Sequence, residues 1–150
     1  MSNEIEVEIK LDDDFEKTKV IIYTSNMNEE INKIVNKIKN NTDNTLIGYK
    51  DDEAFLLDLE KIESIYTENK KIYARAEKNV YLIKKRIFEL EESLEEDGFV
   101  RISNSEIVNF KKVLSIDFKI VGTILLNFKS GEKTYVSRRY VKKIKEYLGV

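Results

Sequence analysis

The chain contains no cysteine, histidine, proline or tryptophan, and these absences exclude several kinds of site. Without cysteine there is neither a disulfide nor a thiolate zinc site. Without histidine the commonest general base is missing, so an enzyme would have to use carboxylates, lysine or tyrosine. No apolar run approaches the roughly 20 residues of a membrane span, and the acidic start is unlike a signal peptide. We therefore expect a cytoplasmic protein with no metal, no other cofactor and no small-molecule substrate.

Charge is unevenly distributed along the chain, although the net charge is only −2. Residues 1–16 hold seven acids and one lysine, and residues 89–97 hold six acids and no base. Residues 69–86 hold seven bases against Glu77, and residues 132–147 hold six bases against two acids. Binding to a polyanion depends on the face that is presented and not on the total charge. The two basic segments are therefore compatible with binding to nucleic acid.

The first 45 residues predict a ββα extension. Glu4–Leu11 alternates apolar and polar residues as a strand does, and Lys19–Thr24 predicts a second strand. Met27–Lys39 predicts an amphipathic helix, with Asn26 as its candidate cap. The polar segment Asn40–Thr45 is the best candidate for a domain boundary.

Residues 46–150 predict an α+β domain that is mostly β. Arg86–Glu96 has the pattern of a helix, closed by Gly98 in the left-handed conformation. A last helix completes the chain after Ser137. The predicted strands are Leu46–Lys50, Ala54–Asp58, Ile62–Glu68, Lys71–Ala76, Val80–Ile83, Phe99–Ile102, Val113–Phe118, Thr123–Phe128 and Lys133–Val136.

The start of the last helix carries charge of the wrong sign for a helix dipole. If Ser137 is the N-cap, Arg138 and Arg139 lie in the first turn. Cations at that end cost roughly 0.3–1 kcal/mol each, whereas an anion there is stabilised. The two arginines thus indicate a phosphate-bearing partner. Lys84, Lys85 and Arg86 likewise place cations at the start of the predicted helix Arg86–Glu96.

Two polar tips are further candidates for contact with nucleic acid. Ser103 and Glu106 fit a capping box, which would place Asn104 and Ser105 at the mouth of a short helix. Asparagine can pair with an adenine edge, as arginine can with guanine. Lys70 and Lys71 lie in a predicted hairpin turn. Each of these groups could equally be ordinary cap or solvent-exposed residues.

The order of these motifs resembles the LytTR-type DNA-binding domain of bacterial transcription regulators. The pattern is a strand, R-x-x-x-S, a short helix ending in V-N, two strands, a hairpin and S-x-R-x-V-K-K-I, and it covers about Leu46–Val150. The residues that carry the resemblance are Arg101, Ser105, Val108-Asn109, Ser137, Arg139 and Val141-Lys142-Lys143-Ile144.

The resemblance implies a sequence-specific regulator whose loop and helix-start residues enter successive grooves of the duplex. Base contacts would come from Asn104, Arg139 and Lys71. Backbone contacts, which fix register without reading sequence, would come from Lys70, Lys85, Arg86, Ser105, Ser137, Arg138 and Lys142.

The resemblance leaves residues 1–45 without a role. Members of the family often carry a receiver domain, for which this chain has no room, and similar members are often restrained by a small membrane protein. We expect a regulatory or dimerising segment. Two alternatives remain open: a protein-interaction module that acts through the acidic extension, and an enzyme that uses Asp12–Asp14 and Tyr23.

Overall fold

The computed structural model describes residues 4–39 and 44–150, and the chain divides into two compact units with a boundary between residues 38 and 39. In the first unit, helix α1 (Glu29–Lys39) confirms the predicted amphipathic helix, with Ile31, Ile34 and Val35 half-buried. The predicted cap is wrong by two residues, because Oδ1 of Asn28 accepts the hydrogen bond from the Ile31 backbone N–H at 2.9 Å. Most of the predicted boundary segment Asn40–Thr45 lies outside the described residues.

The two strands predicted before α1 are wrong. Residues 4–28 contain no helix or strand, and the four alternating apolar side chains of Glu4–Leu11 are exposed, Leu11 to 95%. An alternating segment becomes a strand only when another backbone takes up its N–H and C=O groups. In the described part of the chain no strand pairs with either Glu4–Leu11 or Lys19–Thr24.

The second unit confirms the strand-rich prediction. Its helices are α2 (Ile87–Leu94) and α3 (Val141–Leu148). Its strands are β1 (Thr45–Lys50), β2 (Glu53–Asp58), β3 (Ile62–Glu68), β4 (Lys71–Ala76), β5 (Asn79–Ile83), β6 (Phe99–Ser103), β7 (Glu106–Asn109), β8 (Val113–Asp117), β9 (Ile124–Phe128) and β10 (Lys133–Val136).

The described strands form two antiparallel sheets. The larger has seven strands in the order β2-β1-β5-β4-β3-β7-β6, and the smaller has three in the order β10-β9-β8. Asn69 and Lys70 both have positive φ angles, as the tight turn between β3 and β4 requires. Gly48 lets the β1–β2 hairpin lie close to β5, since a Cβ there would come within 2.7 Å of the Tyr81 Cβ.

Each face of the larger sheet covers its own hydrophobic core. Helix α2 packs on one face, where Leu90 and Leu94 join Ile65, Ile107 and their neighbours. The small sheet and α3 cover the other face, where Ile144 of α3 is fully buried. Burying a leucine or isoleucine contributes about 1.5–3 kcal/mol. The second core therefore fixes the small sheet and α3 against the strands whose turns carry the candidate site.

Polar contacts also connect the two sheets. Glu63 of β3 forms an ion pair with Arg75 of β4 at 2.6 Å and accepts a hydrogen bond from the Ser130 hydroxyl in the β9–β10 turn. Thr134 of β10 donates to the Glu106 carboxylate of β7 at 2.6 Å. Burial raises the pKa of Glu106 above its ordinary value, although the Thr134 hydrogen bond and the charge of Arg75 oppose the shift.

Two helix predictions in this unit need correction. The helix predicted at Arg86–Glu96 begins at Ile87 and ends at Leu94, and a separate 3-10 turn at Glu95–Asp97 follows. Gly98 then has a φ of 88°, as the sequence predicted. The short helix expected to end in V-N is strand β7, because Glu106–Asn109 pairs with both β3 and β6.

Candidate nucleic-acid interface

The register of the larger sheet places two hairpin turns side by side. Strands β3 and β4 pair up to Glu68 and Lys71, so Asn69 and Lys70 form the turn between them. Strand β7 pairs with β3 at Tyr66 and Glu106, which brings the β6–β7 turn to the same end of the sheet. The Thr67 backbone N–H donates to the Ser105 carbonyl at 2.8 Å. The predicted lysine turn and the predicted asparagine tip are therefore neighbours.

The arginine segment lies beside the same end of the sheet. The Ser137 backbone N–H donates to the carbonyl of Ile102, near the end of β6, at 2.9 Å. The Tyr140 hydroxyl donates to Oδ1 of Asn104 at 3.1 Å. Arg138 and Arg139 lie between these two contacts and are exposed. Three segments that are far apart in sequence thus meet at one end of the sheet.

The asparagine tip is a hairpin turn and not the predicted helix mouth. Asn104 and Ser105 form the two-residue turn between β6 and β7, and both are exposed. The Ser103 hydroxyl accepts a hydrogen bond from the Ser105 backbone N–H at 3.2 Å. A capping box and a turn of this kind share the same short polar residues. The strand pairing of Glu106 decides between them here.

Arg101, which the sequence presents only as part of a motif, holds the main chain of this tip. Nε of Arg101 donates to the Ser103 carbonyl at 3.0 Å, and Nη2 donates to the Asn104 carbonyl at 2.6 Å. Nη1 of the same residue forms an ion pair with Glu91 of α2 at 3.2 Å. Arg101 therefore faces the protein and supports the turn. The sequence signal for this role was its position two residues after Phe99, which puts both side chains on the same face of β6.

The arginines lie in a 3-10 turn, Arg138–Tyr140, that leads directly into α3. Ser137 is the N-cap of this 3-10 turn, whereas the N-cap of α3 is Tyr140, three residues later than predicted. The Ser137 side chain makes no capping hydrogen bond, and its carbonyl accepts from the Tyr140 N–H at 2.9 Å. Lys142, in the first turn of α3, is exposed. The first turn of α3 contains no acidic residue. The excess of positive charge at this helix start is therefore as the sequence predicted.

A further basic segment reaches the same end of the sheet from β5. Ile83 of β5 pairs with Ile72 of β4, so Lys84 follows beyond the pairing, on the side of Lys71. Nζ of Lys84 lies 4.0 Å from the centre of the Tyr49 ring. Lys85 and Arg86 continue into α2 and are exposed.

Acidic residues lie at the opposite end of the same strands. The β4–β5 turn contains Glu77, and the 3-10 turn Glu95–Asp97 precedes the start of β6. A strand of six residues such as β4 spans roughly 17–20 Å. Lys70 and Glu77 are thus separated by the full length of β4. The cations of the lysine turn, the arginine turn and Lys84–Arg86 therefore lie at one end of the sheet, whereas the Glu77 end holds charges of both signs, including Lys61, whose Nζ lies 3.9 Å from the Glu77 carboxylate.

Two further features near the arginine turn were not predicted. The Thr123 hydroxyl donates to the Val136 carbonyl, and a Cβ on Gly122 would lie 3.6 Å from Nε of Arg138. The loop between β8 and β9 therefore passes beside Arg138, and its Val121 is 93% exposed. Tyr140 is the second feature. Only the structure shows that its hydroxyl donates to the amide oxygen of Asn104.

Among residues 4–39 and 44–150, no group of three or more acidic, histidine or cysteine side chains is arranged to hold a metal ion. No helix of this described part is long and apolar enough to cross a membrane.

Comparison with known proteins identifies a family for most of the second unit. Residues 52–149 match the family model described as the LytTr DNA-binding domain. A LytTr DNA-binding domain from a Bacillus cereus response regulator superposes with a TM-score of 0.68 at 27% sequence identity. That match covers 71% of this chain and 98% of the Bacillus cereus domain.

Relatives that match over most of the chain are named as transcriptional regulators. A protein of Staphylococcus aureus strain NCTC 8325, named as an uncharacterized HTH-type transcriptional regulator, is 33% identical over 130 residues. The match covers 86% of this chain and 88% of the relative. A regulator with the same name in strain MRSA252 is 32% identical over the same length.

Proposed function

The chain belongs to the LytTr DNA-binding domain family, and from this premise we propose that it is a transcription regulator that recognises specific double-stranded DNA through the basic end of its larger sheet. The family is a DNA-binding one and not a family of enzymes. The observation that carries the proposal is the meeting of three segments at one end of the sheet: the Asn69-Lys70 turn, the Asn104-Ser105 turn and the arginine turn. The pairing of β3 with β7 joins the first two, and the Tyr140–Asn104 hydrogen bond joins the last two.

The proposed roles, base contact or backbone contact, follow from the chemistry of the side chains. Asn104 can form a bidentate pair with adenine, and Arg139 with guanine, in the major groove. Lys71 is the proposed base contact from the first hairpin. The proposed contacts to the phosphate backbone, which set register, are Lys70, Lys85, Arg86, Ser105, Ser137, Arg138 and Lys142.

The arrangement suits a duplex because the three segments follow one another along one edge of the molecule. Neighbouring strands are about 4.8 Å apart, so the four strands β4, β3, β7 and β6 extend over roughly 14 Å. The arginine turn lies beside β6, where the Ser137 N–H donates to the Ile102 carbonyl. The major groove of B-DNA is about 12 Å wide and the minor groove is about 6 Å wide. Side chains along this end of the sheet therefore extend over slightly more than the width of one major groove.

Residues 1–45 are proposed to regulate this binding, either by dimerisation or by holding a partner such as a small membrane protein. Supporting observations are the acidic composition of the segment and its exposed apolar side chains, among them Ile9 at 82% and Leu11 at 95%. Of the two, we favour a homodimer, because two copies would place two reading surfaces on repeated half-sites.

Selection from random duplexes, with sequencing of the bound pool, tests the proposed function. Wild-type protein should enrich one motif. Arg139→Ala should weaken specific binding by roughly 1–3 kcal/mol and relax the preference at one base pair. Lys142→Ala is the matched control, since loss of a phosphate contact should weaken all sequences about equally. Enrichment of no motif by the wild type would refute specific recognition, and an unchanged motif with Arg139→Ala would remove that residue as a base contact.

A further inference from the structure

One hydrogen bond joins two of the segments proposed to read DNA. The Tyr140 hydroxyl reaches Oδ1 of Asn104 at 3.1 Å from a turn that also contains Arg139. The Tyr140 ring packs against the second hydrophobic core, whereas Asn104 is exposed. The tyrosine is thus a fixed group anchored in the core, and the amide it contacts lies at the surface.

The amide of Asn104 has little else to orient it. Arg101 fixes the main chain of the turn through the Ser103 and Asn104 carbonyls, at 3.0 and 2.6 Å. It leaves the side-chain torsions of Asn104 free. An asparagine amide presents an acceptor at one end and a donor at the other, and the two ends are nearly equal in shape.

We propose that Tyr140 is a positioning residue that holds the side chain of Asn104 at the hairpin tip and thereby supports the base preference of that tip. The inference rests on the function proposed above. The hydroxyl donates to the amide oxygen, so the acceptor end faces the arginine turn and the NH₂ end points away from it. Because a tyrosine hydroxyl can also accept a hydrogen bond, the contact fixes where the amide lies and not which of its two ends faces the tyrosine.

The hydrogen-bonding capacity of the amide is sufficient for both partners. The oxygen has two lone pairs and the NH₂ group has two hydrogens. Tyr140 occupies one lone pair. A bidentate pair with adenine needs one lone pair, for N6–H₂, and one hydrogen, for N7. The bond to Tyr140 therefore holds the amide without using the groups that an adenine edge would need.

The test compares four full-length variants on the duplex selected by the wild type. They are Tyr140→Phe, Asn104→Ala, the double variant and, as the control, Tyr147→Phe. Tyr147 lies in α3, with its ring against Phe110. Tyr140→Phe should reduce the preference at the base pair read by Asn104 by about fivefold, the effect of one ordinary hydrogen bond. Affinity for non-specific duplex and its salt dependence should not change. Tyr147→Phe should behave as the wild type.

The double variant separates positioning from stability. Once Asn104 is alanine, Tyr140→Phe should cause no further loss of preference, because there is no amide left to hold. An equal loss in both backgrounds, or an unchanged preference with Tyr140→Phe, would overturn the inference. If the wild type selects no motif at all, the proposed function itself fails, which is a different result from a selected motif that is indifferent to Tyr140.

Discussion

Asn109, at the end of β7, shows how one side chain can connect three backbone segments. It is 1% exposed, and its Nδ2 donates to the Ile62 carbonyl at 2.9 Å. Its Oδ1 accepts from the Lys111 N–H at 3.0 Å, which caps the 3-10 turn Phe110–Lys112. This residue belongs to the V-N motif that identifies the family in the sequence. Its physical role is in the fold, since it cannot reach a ligand from the interior.

Asn109→Ala should lower the free energy of unfolding, because each buried polar group left unpaired costs about 1–3 kcal/mol. The midpoint of urea unfolding measures the change. Asn127→Ala is the matched control, since that amide lies at the surface of the small sheet and donates only to the Ser115 hydroxyl at 3.2 Å. Equal losses for the two variants would contradict the structural role of Asn109.

A second prediction at the scale of single residues is a pH dependence of stability, whose sign follows from the raised pKa of Glu106. Burial raises its pKa in the folded state, so between the unfolded and the folded pKa the native protein holds the extra proton. Its contribution to stability is therefore present at low pH and lost as pH rises through the folded pKa. Glu106→Gln should remove this decline and be more stable than the wild type at pH 7, as urea unfolding at several pH values would show. Glu92→Gln, at an exposed position, should leave the decline in place, and persistence of the decline in Glu106→Gln would contradict the account.

At the scale of elements, alternation and turn residues were enough to predict most strands. Both β3 and β4 have the predicted bounds, because the turn residues Asn69 and Lys70 separate them. The same reasoning failed for Glu4–Leu11, where alternation alone supplies no partner strand. It failed again at Ser103–Glu106, because a capping box and a tight hairpin turn use the same residue types and only long-range pairing separates them.

The turn at Lys70 allows charge and backbone strain to be separated. Lys70 has a φ of 65°, and Glu77, at the other end of β4, has a φ of 56°. Glycine adopts this conformation without the Cβ clash, so Lys70→Gly and Glu77→Gly should each raise stability by about 0.5–1 kcal/mol. Only Lys70→Gly should weaken binding to duplex DNA, since only it removes a cation from the proposed interface. Equal DNA binding by the two variants would place the interface elsewhere.

At the scale of the whole molecule, the site depends on contacts that local sequence patterns do not contain. The sequence identified Lys70, Asn104 and Arg139 separately, and the resemblance to a family placed them in one interface. Their proximity arises from the register of β3 with β7 and from hydrogen bonds at Ile102 and Asn104. Such pairings join residues more than 30 positions apart, beyond the reach of any helical or strand periodicity.

Removal of the extension tests the proposed dimer. A shortened chain that begins at Thr45 keeps both cores and every proposed DNA contact. It should therefore retain the base preference of the full chain. It should also lose affinity and sediment as a monomer, because paired half-sites require two joined copies. A full chain that sediments as a monomer at tens of micromolar, with the shortened form binding DNA equally well, would refute the dimer.

The salt dependence of duplex binding tests the central claim, that the basic end of the sheet binds the DNA backbone. Log K should fall linearly with log salt concentration, with a slope of about −0.9 for each phosphate neutralised. The five proposed cationic backbone contacts, at Lys70, Lys85, Arg86, Arg138 and Lys142, predict a slope of roughly −4 to −5. A titration from low to physiological salt measures it directly. A slope near zero would contradict the account.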